Sequence, residues 1–129
     1  MSHFTTIKTQ IRDVAALRAA STELKLELQG NGIAKMQARG YASQTRSCDY
    51  SLRLKGPYDI AVDKQADGTY ALTTDWWAGH VANEVGQNFS RLVQLYGVNK
   101  AIIEARKRGL AVNRQTQADG SIRLAIATA

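Results

Sequence analysis

Cysteine and histidine are scarce in this 129-residue chain, which has one cysteine and two histidines. A transition-metal site needs three or four His, Cys or carboxylate ligands at suitable spacing, and His3, His80 and Cys48 form no such pattern. A lone cysteine makes no intramolecular disulfide, which favours a reducing compartment such as the cytoplasm. We therefore expect no metal and no cofactor.

Long hydrophobic runs are also missing. No apolar stretch approaches the roughly 20 residues that a membrane-spanning helix needs. The polar start of the chain lacks the charged and apolar regions of a signal peptide, so we expect neither membrane insertion nor export. The single proline, Pro57, belongs to no Pro-rich linker, and we find no internal repeat. These features predict one domain over residues 1–129.

Motifs that would indicate an enzyme are absent. There is no Gly-x-Ser-x-Gly sequence, and the short Gly30-Asn31-Gly32 stretch lacks the Gly-Lys-Ser/Thr of a phosphate-binding loop. Cys48 alternates with apolar residues, which favours packing over reactivity. Several aspartates surround one predicted hairpin, and solvated strand faces explain them without a substrate: Asp59, Asp63, Asp67 and Asp75. The sequence thus predicts a protein that is not an enzyme.

Helical periodicity marks two segments. Asp13 is suited to cap a first helix that extends to about Lys25. A second, longer helix begins near Gly86 and ends before Gly109, where a residue without a side chain suits the C-terminal cap. Each helix has one apolar stripe, as expected of helices that pack on a core.

Strand patterns occupy most of the remaining chain. Residues 3–11 form a first strand, and strict alternation over 46–54 places Cys48 on the apolar face. Two hairpins are predicted around Asp-Gly turns, one joining 58–64 to 69–75 and one joining 110–116 to 121–127. Helices and antiparallel hairpins in this order predict an α+β fold. We expect a two-layer sandwich in which two helices cover one face of a mostly antiparallel sheet, with a ferredoxin-like split βαβ topology and extra strands.

Positive charge is in excess, since 17 Lys and Arg residues against 11 Asp and Glu residues give a net charge of +6. Such a charge attracts nucleic acid or an acidic protein, but it is equally explained by solubility and helix-end electrostatics. The densest basic run, 106–108, closes the second predicted helix. Nucleic acid is therefore a possible partner that charge alone does not establish.

One set of aromatic and basic residues is the best candidate for a binding site, because such side chains offer a large contact area at low entropic cost. Its members are Arg39, Tyr41, Gln44, Arg46, Trp76, Trp77 and His80. Adjacent residues of a strand point to opposite faces, so we expect one of the two tryptophans to be buried and the other exposed. The competing interpretation is structural, with Arg39 paired to an acidic neighbour and Tyr41 packed on a helix.

Sequence motifs in order along nearly the whole chain resemble a known family. They are Met1-Ser2-His3-Phe4, Ile7-Lys8-Thr9, Ile11-Arg12-Asp13, Arg39-Gly40-Tyr41, Gln44-Thr45, Tyr58-Asp59-Ile60, Trp76 after Asp75, Tyr96 with Asn99, and Asp119 to Leu124. The chain is similar to the cyanobacterial and plastid family called hypothetical chloroplast reading frame thirty-five, which other bacteria share as a domain of unknown function. Segments 25–30 and 76–80 depart from the photosynthetic members, so a photosynthetic setting does not follow.

The resemblance implies no catalytic residue and no cofactor. It implies an accessory subunit whose gene lies beside the genes of an AAA+ ATPase and a small companion protein. Three hypotheses follow: an adaptor in a larger protein assembly, a nucleic-acid-binding protein that uses the basic and aromatic surface, or a small enzyme of unknown reaction near Trp77 and His80. We favour the adaptor. Open sheet edges also make a homodimer an expectation.

Overall fold

The computed structural model describes residues 3–128. Its centre is a five-stranded antiparallel sheet made of β1 (Thr5–Lys8), β2 (Glu27–Gln29), β5 (Tyr50–Arg53), β6 (Ile60–Lys64) and β7 (Tyr70–Thr74). Across the sheet the strands lie in the order β1-β7-β6-β5-β2. The turn between β6 and β7 contains Gly68 at a φ of +87°, the left-handed conformation that the Asp-Gly sequence predicted.

Two long helices, α1 (Val14–Glu23) and α3 (Ser90–Lys107), pack on this sheet. Asp13 caps α1, as predicted, because its Oδ1 accepts hydrogen bonds from the backbone N–H groups of Ala15 and Ala16. The Tyr96 hydroxyl on α3 accepts from the N–H groups of Arg12 and Asp13, at 3.0 and 3.1 Å. This contact fixes the start of α1 against α3.

The main hydrophobic core lies between these helices and one face of the sheet. Leu17 of α1 and Leu92 of α3 are fully buried there against Leu52, Ile60 and Leu72 of the sheet. Burial of apolar surface on this scale is the main stabilising term in a domain of this size. The predicted α+β class is confirmed.

The opposite face of the sheet is covered in part by a second hairpin, β3 (Met36–Arg39) with β4 (Thr45–Cys48). Ala38 and Cys48 of this hairpin pack on Ala61 of β6. The single strand expected over 46–54 is therefore wrong. The chain bends at Asp49, so Cys48 belongs to the hairpin layer and does not share the main core with Leu52.

Between β7 and α3 the chain forms short turns that the sequence did not predict. A 3-10 turn (Trp77–Gly79) leads into α2 (His80–Val85), and a second turn (Gln87–Phe89) leads into α3. The long helix consequently begins at Ser90, later than the expected start near Gly86, because Gly86, Asn88 and Phe89 all adopt positive φ angles that no α-helix accommodates.

The last two strands, β8 (Leu110–Thr116) and β9 (Ile122–Thr128), pair only with each other within residues 3–128. The predicted turn at Asp119-Gly120 joins them. In the part of the chain that the structure describes, no strand after α3 joins the five-stranded sheet, so the ferredoxin-like detail is not confirmed. None of the described helices has the length and apolar character needed to cross a membrane.

Candidate functional site

A groove of about 680 Å³ opens between the β3–β4 hairpin and the turn that precedes α2. We call it the aromatic groove. Its lining combines four aromatic side chains with the backbone of a tight turn: Arg39, Gly40, Tyr41, Ala42, Ser43, Gln44, Thr45, Pro57, Tyr58, Trp77 and His80. Five of the seven residues predicted from the sequence meet here, namely Arg39, Tyr41, Gln44, Trp77 and His80.

Tyr41 and Trp77 form the exposed side of the aromatic groove. Their ring centroids are 6.1 Å apart in an edge-to-face arrangement, although the two residues come from separate turns. Tyr41 is 42% exposed and Trp77 is 51% exposed. Large aromatic side chains exposed at the rim of a concave surface are typical of residues that anchor a partner.

The two turns that present these rings contain strained backbone. Ala42 and Ser43, which follow Tyr41, have φ angles of +53° and +66°, and Ala78, which follows Trp77, has a φ of +58°. A residue with a Cβ atom rarely adopts this region, and such strain is concentrated at sites where a particular side-chain direction is required. The turns thus hold both rings at the groove at a conformational cost.

Arg39 forms the floor of the groove through a two-point ion pair with Asp59. Its Nε donates to Oδ2 of Asp59 at 3.0 Å, and its Nη2 donates to Oδ1 at 2.8 Å. Nη2 also donates to the carbonyl oxygens of Leu54 and Gly56, both at 2.9 Å. The hydrogen bonding of its guanidinium to the Asp59 carboxylate raises the pKa of Arg39. Arg39 is therefore engaged in holding the fold, as the structural interpretation expected.

His80 lies at the start of α2 between two other rings. Its ring centroid is 5.6 Å from that of Tyr58 and 6.2 Å from that of Trp77. Nearby, the Glu84 carboxylate accepts hydrogen bonds from the N–H groups of Lys55 and Gly56, at 2.7 and 3.0 Å. Glu84 therefore stabilises the turn before Pro57. The rings of Tyr58 and Trp77 flank His80.

Gln44 contributes its backbone to the groove. Its carbonyl oxygen accepts from Gly40 N–H at 2.7 Å, and its own N–H donates to Tyr41 at 3.0 Å, which closes the turn. The Phe4 ring lies against Gly40, since a Cβ atom added at Gly40 would lie 2.5 Å from it.

Two predicted site residues lie outside the groove. Trp76 is half-buried and packs on Phe89 of the core, with ring centroids 4.6 Å apart. Arg46 lies further along β4, where its Nη2 is 3.9 Å from Oδ2 of Asp63. Strand alternation does not decide which tryptophan is exposed, because β7 ends at Thr74 and neither tryptophan lies in a strand. Trp77 is the exposed tryptophan.

Tyr58 and Pro57 belong to the groove but were not among the predicted residues. Tyr58 belongs to the Tyr58-Asp59-Ile60 motif of the resembled family, and Gly56-Pro57 is a sequence typical of turns, but neither signal by itself marks a binding residue.

The described structure bears on two chemistries, metal binding and the reactivity of the single thiol. Within residues 3–128, no group of three or more His, Cys, Asp or Glu side chains could hold a metal ion. Cys48 is fully buried, and desolvation raises the pKa of its thiol to about 11. A thiol in that state is a poor nucleophile at neutral pH. The aromatic groove offers contact surface and hydrogen-bonding backbone.

The fold and the groove define a small α+β domain with an aromatic groove on its surface. The chain belongs to the family described as "Protein of unknown function (DUF1257)", whose family model matches residues 20–125. The match extends from the second half of α1 into β9 and includes the whole aromatic groove. No curated protein and no solved structure matches the chain.

Proposed function

We propose that this protein is a non-enzymatic adaptor or accessory subunit that holds a partner protein in the aromatic groove. The observation that carries the proposal is the pair of exposed rings, Tyr41 and Trp77, which two strained turns hold at the rim of a groove of about 680 Å³. Protein interfaces are enriched in aromatic anchors that fill or border such concave sites.

The charge of the groove supports a protein partner over a nucleic acid. Among residues 3–128, Arg39 is the only Lys, Arg, Asp or Glu residue that lines it, and Asp59 neutralises this guanidinium. Nucleic-acid affinity depends mainly on cations that contact phosphates, even where bases stack on aromatic rings. A neutral aromatic groove instead suits an uncharged segment of a protein chain.

Nucleic-acid binding is the second candidate, and a different surface favours it. The last turn of α3 contains Arg106 and Lys107, and Arg108 follows them, all exposed. The whole chain has a net charge of +6. A polyanion would bind this basic end by counterion release, without using the aromatic groove.

We also propose a finer placement within the family. The motifs that resemble hypothetical chloroplast reading frame thirty-five support that membership, and with it an AAA+ ATPase assembly as the setting in which an accessory subunit would act. The buried free thiol of Cys48 suits a reducing compartment, so we propose that the assembly is cytoplasmic.

The test is an affinity pull-down of the tagged protein from its native host, performed with and without nuclease and analysed by mass spectrometry. The proposal predicts a protein partner recovered at stoichiometric yield from both samples. Recovery that nuclease abolishes would contradict it and favour nucleic acid. Oligonucleotide binding that weakens steeply as salt increases would independently support the second candidate.

A further inference from the structure

The two edge strands of the central sheet are protected against pairing with another chain, whereas the edges of the β8–β9 hairpin are not. The edge strands of the sheet are short, with four residues in β1 and three in β2. Each contains a charged residue, Lys8 in β1 and Glu27 in β2. Short, charged edge strands are the usual protection against pairing with another chain.

The β8–β9 hairpin has no such protection. Each of its strands has seven residues, and within residues 3–128 neither pairs with a third strand. Strand β9 has a single charged residue, Arg123, and no proline, and its side chains are mostly small or aliphatic. An isolated two-stranded hairpin is only marginally stable in water, and a long apolar edge is a template for pairing.

One face of this hairpin is already occupied by the rest of the chain. Arg114 donates to the Glu23 carboxylate at 2.7 Å, and Gln94 of α3 donates to the Gly120 carbonyl at 3.0 Å. Ile122 packs against the main core. The outer edge of β9 and the exposed side chain of Ile126, which is 47% exposed, lie beyond these contacts.

A second copy of the same patch would complement it. Next to Ile126, a groove of about 310 Å³ runs between the hairpin and α3, and its lining includes Glu104 and Arg108. Glu104 already pairs with Lys100 and Lys107, so what this groove offers a second copy is the apolar surface around Ile126. The edge of β9 is complementary to itself, because two antiparallel copies related by a two-fold axis supply each other's N–H and C=O partners, which is the requirement for an isologous interface.

We propose that the protein forms a two-fold symmetric dimer in which β9 pairs antiparallel with β9 of a second copy. The two hairpins then form one four-stranded sheet, and each Ile126 is covered by the partner copy. Pairing along the full strand places its central residue, Ala125, on the two-fold axis. This surface shares no lining residue with the aromatic groove, so the dimer and the adaptor function can fail independently.

The first test is the mass of the full chain in solution, measured by light scattering after gel filtration at several micromolar concentrations. The wild-type chain is expected at twice the monomer mass, and Ile126→Glu at the monomer mass, because pairing centred on Ala125 would bury each new carboxylate beside Leu124 of the partner copy without a cation. Ile33→Glu is the matched control, since Ile33 is 89% exposed and belongs to neither the hairpin nor α3. It is expected to stay dimeric.

A cross-linking test does not depend on how Ile126→Glu folds. Residues directly opposite in antiparallel strands have Cα atoms about 4.5–5.5 Å apart, within the range of about 4.4–6.8 Å that a disulfide joins. Ala125→Cys is therefore expected to form a disulfide-linked dimer on mild oxidation. Ala118→Cys, at the exposed hairpin turn, is the control that should not. The native Cys48 is buried and does not compete.

Four results would overturn the proposal. They are a monomeric wild-type chain at every concentration, a dimer that persists in Ile126→Glu, an open series of species larger than a dimer, and cross-linking at Ala118→Cys in place of Ala125→Cys.

Discussion

Arg39 and Asp59 are joined by two parallel hydrogen bonds, Nε to Oδ2 at 3.0 Å and Nη2 to Oδ1 at 2.8 Å, and the Asp59 carboxylate is fully buried. Asp59 also accepts the backbone N–H of Leu54 at 3.1 Å. This one pair therefore connects the end of β3, the end of β5 and the start of β6. It also removes the net charge from the aromatic groove.

The first prediction concerns that pair. Arg39→Leu leaves the buried Asp59 carboxylate without its cation, so we expect the free energy of unfolding to fall by about 3–5 kcal/mol. Urea unfolding monitored by circular dichroism measures this change. Lys35→Ala is the control, because its ion pair with Asp49 is largely exposed and should have a much smaller effect. Equal losses in the two variants would contradict the structural role of Arg39.

The second prediction separates the two tryptophans. Trp76 packs on the fully buried Phe89, so Trp76→Ala should lower the free energy of unfolding by roughly 2 kcal/mol, less than a fully buried tryptophan would. Trp77→Ala removes an exposed ring and should change it by less than about 0.5 kcal/mol. The same urea titration measures both. A larger loss in Trp77→Ala would show that this ring supports the core.

The third prediction concerns Cys48. Burial raises the pKa of its thiol to about 11, and the side chain has no access to solvent. We expect the folded protein to resist a thiol reagent such as Ellman's reagent at neutral pH, and the urea-unfolded protein to react fully. Labelling of the folded chain at the rate of a free thiol would show that the β3–β4 hairpin opens readily.

Local turn chemistry explains the parts of the fold that the sequence predicted. The Asp-Gly turns at 67–68 and 119–120 and the Asp13 cap depend on contacts within a few residues, so their sequences determine them. The bend at Asp49, in contrast, is not determined by the residues next to it in the sequence. It depends on the packing of Cys48 against Ala61, 13 positions away, and alternation over 46–54 contains no sign of it.

The candidate site was predictable for a different reason. Residue type alone marked Tyr41, Trp77 and His80, because exposed aromatic residues are expected at binding sites. Their position could not be derived, since it depends on alanine and serine residues with positive φ, which no sequence pattern indicates. Whether these residues bind a partner stays a prediction.

The fourth prediction is a dependence of stability on pH. The hydrogen bond from Arg114 is the main cause that lowers the pKa of Glu23, and Asn99 adds a second donor. The pKa of Glu23 is therefore lower in the folded state than in the unfolded state. The stability that ionised Glu23 contributes to the fold is complete above the unfolded-state pKa and is lost as pH falls through the folded-state pKa.

Glu23→Gln tests this dependence. Between about pH 5 and about pH 3, the wild-type chain should lose more stability than the variant, as measured by urea midpoints. Because Arg114 is in β8, hydrogen exchange of the β8–β9 amides should increase over the same range. Parallel pH profiles for the two chains would contradict the role of Glu23 as the anchor of the hairpin.

The most direct measurement of the central claim is a quantitative pull-down from nuclease-treated lysate of the native host with three baits, namely wild type, Trp77→Ala and Ile33→Ala. Ile33 is an exposed residue outside the aromatic groove, so Ile33→Ala controls for loss of surface apolar area. We predict that wild type and Ile33→Ala recover the same protein partner at equal yield and that Trp77→Ala loses it. Undiminished recovery with Trp77→Ala would contradict the claim that the aromatic groove holds the partner.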